Sequence, residues 1–260
     1  MTILDKIIAK KTVEVQQAKA AVPLAILEQK PLFTRSCFAL RDAVLDPKKN
    51  GIIAEYKRAS PSKGIINDRM PVATVVGGYQ NAGVSAVSVL TDPSFFKGSL
   101  DDLVAARAAL TIPLLRKEFI IDEYQLAEAK AHGADIILLI AAVLDTGRIK
   151  ALSESAKSLG LNVLLEVHNR AELERSMMDS VDAIGVNNRN LNDFSVSLDH
   201  SLELVDLIPQ KFIKVSESGI SDPDTIRQLR GVGFEGFLIG ENFMKTTDPT
   251  QAIKDFVKKI

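Results

Sequence analysis

The chain has 260 residues, 46% of them hydrophobic and 25% charged, with a formal net charge of -1. Such a chain can bury a large core, and its balanced charge argues against a nucleic-acid surface or an anchor on acidic membrane, leaving room for a local basic pocket. One cysteine, Cys37, excludes an internal disulfide and suits a cytoplasmic location, and no stretch approaches a membrane span.

The opening residues MTILDKIIAKK are interrupted by Asp5 and Lys6 and lack the apolar core of a signal peptide. Residues 1–46 read instead as a helical extension. Ile3, Leu4, Ile7 and Ile8 recur at helical spacing, and Leu24, Leu27 and Leu32 form a second apolar cluster after Pro23. The first strand follows in GIIAEYKRASPSKG, residues 51–64. Alternation of side chains puts Ile53, Glu55 and Lys57 on one face and Ile52, Ala54 and Tyr56 on the other. An acid and a base thus follow an apolar residue into one interior, where an unpaired charge is costly. SPSKG breaks the strand and is expected to form a mobile loop over the site.

Short runs rich in Val, Ile and Leu recur near Gly51, Val84, Pro113, Asp135, Asn162, Val181, Phe212 and Glu235. Between them lie segments of helical pattern, DDLVAARAAL, DEYQLAEAKAHG, RIKALSESAKSLG and DPDTIRQLRGVG, most closed by the glycine of a helix C-cap. Alternating strand and helix implies a parallel sheet with right-handed crossovers. About eight units in roughly two hundred residues fit a closed (β/α)8 TIM barrel of the α/β class. A doubly wound open sheet would want a glycine fingerprint after the first strand, and SPSKG is not one. No linker divides the chain, so residues 1–260 are read as one barrel domain with its extension.

Barrel chemistry sits where strands run out at their C-terminal ends. Those ends carry Glu55 and Lys57; Thr91 and Asp92; Lys117 and Glu118; Glu166; Asn187 and Arg189; Glu217 and Ser218; and Gly240 and Glu241. Any one of these would pass for a solvated loop residue, whereas the set points to one shared polar rim. Asn187 and Arg189 share a face, as Glu55 and Lys57 do, and Glu118 points opposite to Lys117. Gly219 and Gly240 end the last two strands, where barrels often bind phosphate through backbone N–H groups, so a small phosphorylated ligand is expected. The carboxylate of Glu241 must then turn away from the anion. His132, His168 and His200 show no metal-ligand spacing. His132 stands at a helix end, where a cation suits the dipole, and His168 adjoins a strand end.

Taken in order, IAEYKRASPSKG, LTDPSFFKGS, LLRKEFIIDEYQ, LLEVH, GVNNRNL, VSESGI and FLIGENFM resemble the successive barrel motifs of indole-3-glycerol phosphate synthase, a family of tryptophan biosynthesis. The resemblance spans essentially the whole chain, including the helical extension; Asn192, Asp193 and Ser197 depart from its loop pattern. It implies a decarboxylating ring closure, in which 1-(2-carboxyphenylamino)-1-deoxyribulose 5-phosphate becomes indole-3-glycerol phosphate with release of carbon dioxide and water. It also implies that no metal or organic cofactor is needed.

Carried over motif by motif, the resemblance makes Lys117 the general acid at the ketone oxygen and Glu166 the general base of the dehydration. Lys57 holds the substrate carboxylate or bridges it to the phosphate, and Glu55 orients Lys117 or relays a proton. Lys57, as a like charge, is also expected to lower the Lys117 pKa. Asn187, Arg189 and Glu217 form a hydrogen-bonded floor. Ser60, Ser218, Gly219, Gly240 and Glu241 serve the phosphate, and Phe96, Phe119, Leu191 and Leu238 the aromatic ring, with plain core packing the alternative for each of the last four. The expected partner is a small phosphorylated substrate, with no nucleic acid and no membrane, and a monomer is the expected state. A barrel resembling phosphoribosylanthranilate isomerase typically wants a Cys and Asp pair, and Cys37 lies outside the barrel. A barrel that only binds a phosphorylated metabolite would not need a complete polar rim.

Overall fold

The structure, a computed structural model, describes residues 2–190 and 194–260. Eight parallel strands close into a barrel: β1 (Ile52–Tyr56), β2 (Ala86–Leu90), β3 (Leu114–Lys117), β4 (Ile136–Ile140), β5 (Asn162–Val167), β6 (Ala183–Asn187), β7 (Ile213–Glu217) and β8 (Gly236–Ile239). Neighbours in sequence are neighbours in space, and β8 returns to pair with β1 through Ile53↔Leu238 and Ala54↔Ile239. Helices cover the outside. Ser99, Asp122, Asp145, Asn169, Asp222 and Asp248 each accept a backbone N–H from the first turn of the helix they precede, a cap worth about 1 kcal/mol apiece.

Strands buried on both faces need apolar residues at successive positions, and the sequence supplies them. Ile53, Leu115, Leu164, Ala183, Ile213, Val215 and Leu238 fill the barrel interior, while Ile52, Ala54, Tyr56, Val87, Leu114 and Val163 face the helices. Two residues further along the inward series, the chemistry changes. Ile53 leads to Glu55, Leu115 to Lys117, Leu164 to Glu166 and Val215 to Glu217. The period of the strand therefore carries the buried apolar core directly into a polar mouth.

The helical extension acts at both ends of the barrel. Its first helix, Ile3–Ala21, crosses the mouth and places Ile3, Leu4 and Ile7 in the chamber wall. Its last, Leu40–Leu45, closes the opposite end: Leu40 and Val44 join the interior cluster, and the Leu40 N–H donates to Asn162 Oδ1 at the start of β5. The SPSKG segment folds into a small hairpin, Ala59–Ser60 against Gly64–Ile65, with Pro61 and Ser62 reaching the chamber.

Candidate active site

The polar mouth opens into a chamber of about 1030 Å³, counting its open entrance. Lys117 stands at its centre. Its Nζ lies 2.6 Å from Glu217 Oε2 and 3.0 Å from Glu166 Oε2. Burial alone would lower the Lys117 pKa, but the carboxylates of Glu217, Glu166 and Glu55 outweigh it and hold the ammonium well above its usual value. The expected lowering by Lys57 is thus overturned. Glu55 Oε1 sits 3.1 Å from Lys57 Nζ and neutralises it, so Glu55 pairs with Lys57 and acts on Lys117 through its field.

One ammonium cannot neutralise two carboxylates, and the surroundings decide which of them stays ionised. Glu166 has further help: Asn187 Nδ2 donates to its Oε1 at 3.0 Å, and His168 Nε2 lies 3.4 Å from the same oxygen. Burial pushes Glu166 up, yet Lys117, His168 and Asn187 together bring it down to about 2. Among the described residues, Glu217 has no such further donors, and its buried Oε1 has no hydrogen-bond partner. Burial and the neighbouring Glu166 charge prevail over Lys117 there and push Glu217 up to about 7. The site therefore holds a permanent base beside a carboxyl group that titrates near neutrality.

Two glycines make room for these acids. A Cβ on Gly185 would lie 2.1 Å from Glu217 Oε1, and one on Gly240 would lie 2.7 Å from Glu55 Oε1. Gly240, expected to matter for backbone approach to an anion, thus also vacates the space in which Glu55 lies. On the apolar side, the rings of Phe96 and Phe119 sit 6.1 Å apart, and Leu90, Leu138, Ile140 and Leu238 share the chamber wall with Ile3, Leu4 and Ile7. Leu191, expected here, lies outside the described residues. Ser60, assigned to the phosphate, lines this chamber beside Pro61 and Ser62.

An adjoining cavity carries the cations. Lys57, Lys63, Arg189 and Lys245 line it together with Ser218, Gly219, Gly240, Glu241 and Asn242. Ser218 and Gly219 are both left-handed, at φ +67° and +79°, a conformation that costs about 1 kcal/mol at a serine. Asn188 Nδ2 holds the turn by donating to the Ser218 carbonyl at 3.2 Å. The helix after Gly240 is only Glu241–Met244, too short for much of a dipole. Glu241 does not swing clear of the cavity; its carboxylate reaches to 3.6 Å from Arg189. Lys63 and Lys245 escaped the sequence reading because neither follows a strand directly, and only the folded loops bring them together.

Three rim residues serve a different centre. Asp92 and Glu118 turn to Lys11 of the first helix, at 2.9 and 3.0 Å, and Thr91 Oγ1 donates to Glu118. Lys11 is buried, and although burial disfavours its charge, Glu118, Glu14 and Asp92 raise its pKa. The expected polar rim thus divides into a reactive centre and a latch for the helix above it. His132 is no cation at a helix end either. Burial lowers its pKa, Lys30 Nζ approaches its Nε2 to 2.7 Å, and its Nδ1 faces the Glu128 carbonyl.

The chain has relatives among known proteins. Residues 4–256 match the family described as Indole-3-glycerol phosphate synthase. The chain belongs to the indole-3-glycerol phosphate synthase family. A relative of that name from Bacteroides thetaiotaomicron is 46% identical over 258 residues, covering 99% of this chain and 98% of the relative. Another from Polaromonas sp. is 44% identical over 254 residues, covering 96% of each. Among solved structures, tryptophan synthase subunit alpha from Legionella pneumophila superposes with a TM-score of 0.62 at 13% identity, over 85% of this chain and 95% of that one. That similarity is one of fold. The indole-3-glycerol phosphate synthase motifs read from the sequence contribute Lys117, Glu166, Asn187 and Glu217 to one hydrogen-bonded group, with Glu55 and Lys57 on the same wall. Among the described residues, no helix is long and apolar enough to cross a membrane.

Proposed function

We propose that the chain closes the indole ring with Lys117 as general acid, Glu166 as general base and Lys57 as the anchor of the substrate carboxylate. The overall reaction is that of the family, a decarboxylating lyase step of tryptophan biosynthesis that yields indole-3-glycerol phosphate. Attack of the electron-rich ring carbon on the ketone builds negative charge on the ketone oxygen, and a preorganised ammonium stabilises that charge. The carboxylates around Lys117 keep it protonated at rest. An alkoxide is a stronger base than they are, so the proton moves to it as the carbon–carbon bond forms.

Loss of the carboxylate as carbon dioxide then leaves a hydroxyl to be expelled as water. Glu166, held ionised 3.0 Å from Lys117 Nζ, is placed to take the proton that this elimination releases. Glu217, titrating near neutrality, is suited to return a proton to Lys117. Lys57 lines both the chamber and the adjoining cavity, so a bent substrate can set its ring against Phe96 and Phe119 and its phosphate among Lys63, Arg189 and Lys245. Cys37, free and single, and the biosynthetic role favour the cytoplasm, and a monomer is the proposed state.

The observation that carries this reading is Lys117 Nζ held between two carboxylates at the C-terminal mouth of the barrel. Purified protein given the carboxyphenylamino substrate without added metal is expected to develop indole fluorescence. Lys117→Ala should remove nearly all turnover while a phosphate-bearing product analogue still binds. Near-normal turnover in that variant would take the acid role away from Lys117.

A further inference from the structure

We propose that His168 is a positioning residue for Glu166, an imidazole fixed on the far side of the base from Lys117. The proposal rests on the reading of Glu166 as general base.

His168 follows Glu166 by two residues at the end of β5 and continues its inward series. Its side chain is 12% exposed, and it is pinned from outside the chamber. The His168 backbone N–H donates to Glu172 Oε2 at 2.8 Å, and ring Nδ1 lies 3.3 Å from the same oxygen. Asn169 Nδ2 holds the other oxygen of Glu172 at 2.8 Å. This clamp favours a proton on Nδ1 and leaves Nε2 toward Glu166 Oε1 at 3.4 Å, where it is buried and makes no hydrogen bond among the described residues. Glu166 meanwhile receives Asn187 on Oε1 and Lys117 on Oε2.

The charged groups facing the imidazole are Glu172 on one side and Glu166 on the other, with Glu217 further across and Lys117 beyond Glu166. Burial disfavours the imidazolium, but these carboxylates prevail and raise its pKa.

The chemistry gives that second group a task. When Lys117 hands its proton to the ketone oxygen, the ammonium that held Glu166 ionised is gone. His168 takes no part in that transfer, and Glu172 holds its imidazole in place from outside, where the nearby carboxylates favour its protonated form. Glu166 therefore remains a base for the dehydration that follows, and its carboxylate keeps its orientation.

The test compares His168→Ala, His168→Gln and Glu172→Gln with the unaltered enzyme, using kcat and KM across pH and carbon-13 NMR titration of the Glu166 carboxyl group. Glu166→Gln assigns the resonance. His168→Ala is expected to lower kcat about tenfold with KM changed less than about twofold. The Glu166 titration should move up by at least about half a unit in His168→Ala and in the same direction in Glu172→Gln. His168→Gln, which offers a donor without a charge, should recover part of the rate and leave the titration shifted. An unshifted Glu166 titration in both His168→Ala and Glu172→Gln overturns the proposal and makes His168 a spacer, whatever the rate. Near-normal turnover in Glu166→Gln overturns the underlying base assignment instead, and the two failures are separable.

Discussion

Replacing Gly185 by alanine tests whether the carboxylates at the barrel mouth are placed by the space a glycine leaves. The added Cβ would meet Glu217 Oε1 at 2.1 Å, Glu217 Cδ at 3.1 Å and Leu164 Cδ1 at 3.3 Å. The first contact falls about 1 Å short of van der Waals separation in an interior packed like a crystal, so Glu217 must retreat by about that much. Its Oε2 would then leave Lys117 Nζ, now 2.6 Å away. A displacement of about 1 Å at reacting groups costs about a hundredfold in rate, or about 2.7 kcal/mol in barrier. Overpacking should also remove about 1–3 kcal/mol of stability. Steady-state indole fluorescence reads the first effect and thermal unfolding the second. Gly77→Ala is the control: it lies inside the helix Val72–Asn81 with open space around it, and should gain about 0.4–1 kcal/mol with turnover unchanged. In the double variant Gly185→Ala/Glu217→Ala the clash is gone and the stability loss should shrink. A kcat within about threefold of the unaltered enzyme in Gly185→Ala, or a double variant as unstable as the single one, refutes this account of Gly185.

Glu217→Gln should stabilise the folded protein above neutral pH while reducing turnover. The Glu217 pKa is raised on folding to about 7, so its contribution is complete below the ordinary carboxylate value and is lost as pH rises through about 7. Thermal unfolding at pH 8 should therefore favour Glu217→Gln more than at pH 5; equal shifts at both would mean that Glu217 does not titrate there. Lys11→Met leaves Asp92 buried without its cation and Glu118 with Arg116 alone, at 3.8 Å, at a cost of about 3–5 kcal/mol. It should also speed amide exchange in the helix Ile3–Ala21 and raise KM, since that helix carries Ile3, Leu4 and Ile7 into the chamber wall. Unchanged exchange would show that other contacts hold the helix.

Much of this molecule is legible along the chain because a strand's two-residue period converts order into direction. Ile53–Glu55–Lys57 needed no structure to be read as an inward series, nor did the opposite directions of Lys117 and Glu118, and the eight expected strands do close into a barrel. What the period could not supply was the partner across the barrel. The motif resemblance gives Lys117 an acid's role with Lys57 as its neighbour, whereas closure sets it against Glu217, 100 residues later in the chain, and Glu166. The direction of its pKa shift follows from that pairing and reverses the expectation. In the same way, Asp92 and Glu118 end strands as the reactive residues do, yet meet a lysine from the first helix. Residue type and position along a strand determined which groups reach the mouth. Only the tertiary structure decided which charges neutralise one another, because electrostatic energy depends on distances between segments that the linear order leaves free.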